Sequence, residues 1–279
     1  MKGVPVIAID GTSGVGKGTL ARLLAKKLGW HLLDSGAVYR AHAWALMQHK
    51  VSLRDLESMV SRVQAVHFVW DDQHGPMVDG QACRAHLHGE EVGLYASTIS
   101  ALEGVRAHVN SHLRQCARHP GLVADGRDMG TVVFPDAVVK LFLDAPLHIR
   151  AQRRADQLLT MGQVVNMADV CSWLERRDKR DSERSIAPLK PAPDAILVDT
   201  GVLGVDDVLS CAWAAIERNR GRDTAPARLR YAGAVSRKRA GFFMIFCLLA
   251  LTPSSSSPWK NSPNYLNLNA APLIPKQAL

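Results

Sequence analysis

Five short apolar runs recur along the first 200 residues: "VPVIAID" (4–10), "WHLLD" (30–34), "GLVAD" (121–125), "VVKLFLD" (138–144) and "AILVD" (195–199). Each ends in an aspartate, which places a carboxylate where the chain would leave a sheet. Continuous apolar strands separated by longer helical patterns predict a parallel sheet covered on both faces. The expected class is α/β, a five-stranded parallel sheet flanked by helices. Ligands of such sheets gather at the carboxyl ends of the strands, here the aspartate edge.

Two stretches depart from this alternation. Residues 51–96 include "VHFVWDDQHGPMVDG", with turn residues Gln73–Pro76 between strand-like flanks, and read as a hairpin-bearing insertion beside the sheet. Residues 146–187 are polar, arginine-rich and helical in pattern, a mobile cover by expectation. After Arg218 the character changes. "GFFMIFCLLALT" (241–252) falls well short of the roughly 20 residues that span a bilayer. The Ser-, Pro- and Asn-rich stretch that follows is read as disordered. A signal-anchor or interfacial helix, or a non-native extension of the reading frame, are the alternatives for this tail.

Charge sharpens that boundary. The net charge of +8 invites a nucleic-acid partner, but residues 1–218 hold 25 basic and 25 acidic residues. The whole excess lies in 219–279, so it describes a solvated appendage, and no nucleic acid is expected. Five scattered cysteines without a CxxC pair argue against a disulfide framework or a zinc site and fit a reducing cytosol. With a strand-like run so near the first residue, neither a secretory signal nor a membrane partner is expected.

Chemistry begins at "DGTSGVGKGTLARLL" (10–24). Gly11-x4-Gly16-Lys17 follows a strand and opens a helix. Its glycines let backbone N–H groups converge on one concave spot, and the helix N-terminus adds partial positive charge. Lys17 can reach β- and γ-phosphates, with a hydroxyl nearby for Mg²⁺. Gly18 intervenes where the common motif has Ser or Thr, so that hydroxyl is Thr19. A bare strand-to-helix turn is the alternative. With strand, spacing, lysine and helix all present, the loop is read as binding a nucleoside triphosphate.

No Asn-Lys-x-Asp base-reading motif occurs, which argues against a GTPase switch. A kinase needs an acceptor pocket and a cover that excludes water. "DSGAVYR" (34–40) offers Ser35, Tyr39 and Arg40. "ADGRDMG" (124–130) offers Asp125, Arg127 and Asp128. "RRDKRDSER" (176–184) sets Arg177, Asp181 and Arg184 on one helix face. Surface ion-pair clusters are the plain alternative for each. Arginine forks, however, suit the oxygens of a moving phosphoryl group. No general base stands out, although Asp34 and Asp128 could partner a proton. His86-x-His88 reads as two exposed histidines rather than a metal site.

"GTSGVGKGT", "LLDSGAVYR", "ADGRDMGTVVFPDA" and "RDKRDSERSIAPL" together resemble the bacterial cytidylate (CMP/dCMP) kinases of the P-loop nucleoside monophosphate kinase group. The similarity covers residues 3–218, and the Gly-Lys-Gly-Thr form is that group's own. The resemblance implies a cytoplasmic enzyme, expected to be a monomer, that moves the ATP γ-phosphoryl to CMP or dCMP with Mg²⁺. It implies a monophosphate-binding insertion at 51–96 and a lid at about 148–162.

Carried over by position, Gly11, Thr12, Ser13, Gly14, Val15, Gly16, Lys17 and Gly18 would hold ATP. Thr19 and Asp125 would serve Mg²⁺. Arg40, Arg127 and Arg184 would clamp the CMP phosphate, with Tyr39 in the pocket. Ser97, Arg106 and Asp128 would read cytosine, with Ser35 close by. Arg177 and Asp181 would contact sugar or bridge phosphates, and Arg153 and Arg154 would arrive with the lid. Lys17, Arg127, Arg177 and Arg184 would act in the transfer itself. A kinase for another small acceptor (UMP, AMP or shikimate), or a noncatalytic ATP-binding module, are the competing functions.

Overall fold

The computed structural model describes residues 3–71, 75–87, 89–222 and 265–266. The apolar stretch at 241–252 and nearly all of the tail lie outside them, as do His88 and part of the hairpin turn.

Strand β1 (Val6–Gly11) leads into helix α1 (Lys17–Leu28), then β2 (His31–Asp34) and α2 (Ser35–Gln48). Next come α3 (Leu56–Ala65), strands β3 (Phe68–Asp71), β4 (Gly75–Val78) and β5 (Gln81–Ala82), then α4 (Glu90–Ile99) and α5 (Glu103–Gln115). Strand β6 (Leu122–Asp125), a π-type turn at Met129–Val133 and β7 (Val139–Asp144) return to the main sheet. Helices α6 (Leu147–Thr160) and α7 (Met167–Glu183), strand β8 (Ile196–Asp199) and α8 (Val205–Arg222) follow, with β9 (Tyr265–Leu266) last.

Strands β2-β6-β1-β7-β8 form a five-stranded parallel sheet in that order. The expected strands match it within two residues at each end. Strand β9 adds to β8 in parallel through Leu197↔Tyr265 and Val198↔Leu266. The tail therefore contributes one short edge strand where only disorder was expected. The 146–187 region holds two helices, α6 and α7, parted at 161–166 around Gly162, whose φ of +75° favours glycine.

Alternation along β1 explains the two-layered core. Val6 and Ala8 face a cluster with Leu33, Val38, Leu46, Val109 and Leu113, which covers one face with α2 and α5. Ile7 and Ile9 face the other, against Leu20, Leu24, Ala212 and Ile216 of α1 and α8. Both faces are buried, so every β1 residue is apolar until Asp10. The inserted sheet β3-β4-β5 is antiparallel, with Phe68 opposite Val78 and Val69 opposite Met77.

Candidate functional site

All five strand-end aspartates stand on one edge, and most of them serve the fold. Asp10 accepts from the Met129 and Gly130 N–H groups, both at 2.8 Å, and so holds the turn after β6. Asp34 caps α2 by accepting from Ala37 N–H at 2.9 Å. Asp144 accepts from Ala145 N–H at 3.0 Å and Asp199 from Gly201 N–H at 2.7 Å. Among the described residues, no group hydrogen-bonds the Asp125 carboxylate. Burial, and then Asp34 beside it in the register, push its pKa up to about 7. A buried carboxylate beside a half-buried one favours cations, and Lys17, Arg127 and Arg22 already offset part of the cost.

The loop between β1 and α1 wraps the adjacent space. Gly11 lies so close to β7 that a Cβ there would stand 2.1 Å from the Leu143 carbonyl oxygen. Gly16 caps α1 with φ +93° and supplies no side-chain hydrogen bond, which leaves the helix N–H groups for an anion. Lys17 is buried and donates to Thr12 O at 2.6 Å. Burial, and then Arg127, lower its pKa. Gly18 leaves room for Asp125, whose Oδ2 would be 3.3 Å from a Cβ at that position. Thr19 is exposed and does not line the cleft described next.

One cleft of about 920 Å³ runs from Ser13 and Gly14 to Tyr39, Arg106 and Asp128. Ser35, Arg40, Ser97, Asp125, Arg127, Arg154, Arg177, Asp181 and Arg184 also reach its wall, drawn from α2, α4, α6, α7 and the loop after β6. Arg127 donates to Asp181 Oδ2 at 2.9 Å and to Ser13 Oγ at 3.0 Å, so it joins α7 to the phosphate loop. Burial would lower the Arg127 pKa, but Asp181, Asp178 and Asp125 together outweigh it and the net shift is upward. Burial, with Arg127 and Arg40 next, pushes Arg177 down to about 9. Such mutual repulsion among guanidiniums is relieved when an anion enters.

At the far end Arg106 and Asp128 form a buried ion pair, with side-chain exposures of 3% and 5%. Arg106 also donates to Ser100 O at 2.9 Å. Arg184 lies 3.8 Å from the other Asp128 oxygen. Tyr39 Oη, Arg106 Nε and Arg184 Nη2 are buried without hydrogen-bond partners. Buried polar groups are normally satisfied, so donors left open along one cleft mark it for a ligand.

Arg153 does not join them. Its guanidinium donates to Thr200 Oγ1 at 3.1 Å and Thr200 O at 2.6 Å, and Thr200 in turn donates to Val15 O at 3.0 Å. It braces the phosphate loop from behind, while Arg154, one residue on, lines the cleft. Sequence reasoning missed Arg150 and Asp178. Arg150 donates to Ala145 O at 2.8 Å and Ser13 O at 3.1 Å, and pairs with Asp178, which itself accepts from Ser13 N–H at 3.2 Å. No local signal set Arg150 apart from the arginines that follow it.

A strand, a glycine loop, a helix N-terminus with a buried lysine and an arginine-lined cleft beside it define a P-loop nucleotide-binding α/β protein. The sequence profile described as cytidylate kinase matches residues 7–218, and this chain belongs to that family. A cytidylate kinase of Photobacterium profundum is 47% identical over 219 residues, which cover 77% of this chain and 95% of the relative. One from Aeromonas salmonicida is 47% identical over 225 residues, 79% of this chain and 97% of the relative. A solved shikimate kinase from Acinetobacter baumannii aligns at 18% identity with a TM-score of 0.39, over 78% of this chain and 95% of that one.

Proposed function

We propose that this chain transfers the γ-phosphoryl group of ATP to CMP or dCMP, giving ADP and CDP or dCDP. The observation that carries this reading is the single cleft that joins the phosphate loop to the buried Arg106–Asp128 pair. ATP phosphates lie on the loop amides and Lys17. The acceptor phosphate lies among Arg40, Arg127 and Arg184, with Arg177 between the two ligands.

Asp128 and Arg106 set an acceptor beside a donor. Cytosine offers the complement, an N4 donor next to N3 and O2 acceptors. Uracil would place a carbonyl against the Asp128 carboxylate and leave it unpaired, a penalty of about 1–3 kcal/mol. Ser97 and Ser35 line the same end. The open donors of Tyr39 and Arg184 find acceptors on the ligand.

The Asp125–Asp34 edge fits a divalent cation: both carboxylates are adjacent in register, and the Asp125 one is buried and accepts no hydrogen bond among the described residues. Mg²⁺ held there would neutralise phosphate charge. Alignment and charge neutralisation then carry the transfer without a dedicated base.

Residues 51–96 act as the monophosphate-binding insertion, and 148–162 as the lid. Exposed Leu159, Met161 and Val164 at the break between α6 and α7 supply apolar surface that closure buries. Closure excludes water, which would otherwise take the γ-phosphoryl. The chain works as a monomer. Free thiols at Cys83, Cys116, Cys171 and Cys211 suit the reducing cytoplasm, and among the described residues no helix is long and apolar enough to cross a membrane.

A coupled ADP-release assay with CMP, dCMP, UMP, AMP and shikimate tests the proposal. Turnover with CMP and dCMP is expected. ADP formed only with another acceptor, or ATP binding without turnover, overturns it.

A further inference from the structure

Behind the cleft, three histidines meet between α2 and α5. His42 is fully buried on α2, and His108 and His112 stand four residues apart on one face of α5. One ring nitrogen from each lies within 4.8 Å of the other two. None of the three lines the nucleotide cleft.

Their hydrogen bonding is incomplete in a particular way. His42 Nδ1 is 2.9 Å from the Val38 carbonyl oxygen, which can only accept, so the proton sits on Nδ1. The neutral ring then presents a bare lone pair at Nε2, and that atom is buried with no partner. His108 Nε2 and His112 Nδ1 are likewise buried and unpartnered. A metal-bound imidazole usually donates its other N–H to a carbonyl or carboxylate, as His42 does. Burial pushes His42 down to about 4 and lowers His108 and His112 as well, which favours the neutral ring, the form that binds metal.

We infer that His42, His108 and His112 form a site for a borderline transition-metal ion of the Zn²⁺ class, which ties α2 to α5. Tetrahedral ligation at about 2.0–2.1 Å puts imidazole centroids about 5 Å apart. The observed separations of 4.5, 6.0 and 6.2 Å straddle that value, and binding would draw together ring nitrogens that already lie within 4.8 Å of one another. Phe68 stacks on His42 at 5.2 Å and on His112 at 5.8 Å, which holds both rings in place. A pocket of about 220 Å³ bordered by Phe68, His112 and Gln115 reaches one of the three rings from outside. Hard, oxygen-seeking Mg²⁺ is not the ion for this set. The clamp would join the helix that carries Tyr39 and Arg40 to the one that carries Arg106.

Co²⁺ is the probe. Titrated into the tag-free full chain without nucleotide, it should give the intense visible d–d bands of four-coordinate cobalt at one ion per chain, and Zn²⁺ should bleach them. His108→Gln and His112→Gln should each weaken Co²⁺ by more than about 100-fold, because even outer partners of such ligands are worth about 10–100-fold. His86→Gln, an exposed histidine, should change nothing. X-ray absorption on the wild-type Zn²⁺ complex should count three imidazoles, a measurement that needs no variant to fold. Absent bands, affinity unchanged in His108→Gln, or fewer than three imidazoles would mean the rings only pack against one another and Phe68.

Discussion

The Arg127 guanidinium and the Asp181 carboxylate meet at 2.9 Å although 54 residues separate them in the chain. Burial alone would raise the Asp181 pKa, but Arg127, Arg177 and Arg184 outweigh it and hold the group ionised. One side chain thus couples α7 to the loop after β6, and its other nitrogen couples both to Ser13.

Arg127→Lys keeps the charge and loses the planar fork. In the proposed mechanism that removes the aligned donors to the moving phosphoryl group. We expect kcat/KM for CMP to fall by about 100-fold or more, with the thermal melt near wild type. Steady-state kinetics beside a melt decide it; undiminished kcat/KM would exclude Arg127 from the transfer.

Asp128→Ala should lower the ratio of kcat/KM for CMP over UMP by about 10-fold or more. It also leaves Arg106 buried without a counter-charge, at a cost of about 3–5 kcal/mol. Asp128→Asn, which keeps the volume, serves as the folding control. Should the ratio stay unchanged in a folded variant, Asp128 does not read the base.

Asp10 gives a pH signature. Burial is the first cause that raises it from 3.8 to about 6. Between those values the folded chain holds a proton that the unfolded chain has released. Stability is therefore fullest below about pH 4 and falls as pH rises through about 6. From about pH 4.5 to about pH 7.5 the wild type should lose about 2 kcal/mol relative to Asp10→Asn. Urea unfolding across that range provides the measurement, and parallel curves for the two proteins would contradict it.

Gly11→Ala places a methyl 2.1 Å from the Leu143 carbonyl oxygen, a backbone atom that cannot swing aside. Strands β1 and β7 would have to part at the middle of the sheet. A loss of about 3 kcal/mol or more is expected, read as a lowered urea midpoint. A midpoint within error of the wild type would show that the strand ends give way freely.

The five parallel strands were legible because each is a short apolar run closed by an aspartate, and burial on both faces permits few other patterns. The triphosphate loop was legible because its chemistry is local: glycines, lysine and helix start occupy one stretch. Helix phase in α6 was not legible. Arg150, Arg153 and Arg154 look alike in sequence, yet one clasps Ser13, one braces Thr200 and one lines the cleft. The β9 strand escaped notice because two residues carry no pattern, and the α2–α5 histidines because 66 residues separate His42 from His108.

Local information therefore determined which segments would be strands, where the phosphate loop lies, and that the charge of the first 218 residues balances. Tertiary structure alone decided which strand-end aspartates are tied into the fold and which one, Asp125, stays open. The reason is physical: a residue's type and period follow from neighbours in the chain, whereas burial and partners follow from elements brought together across it.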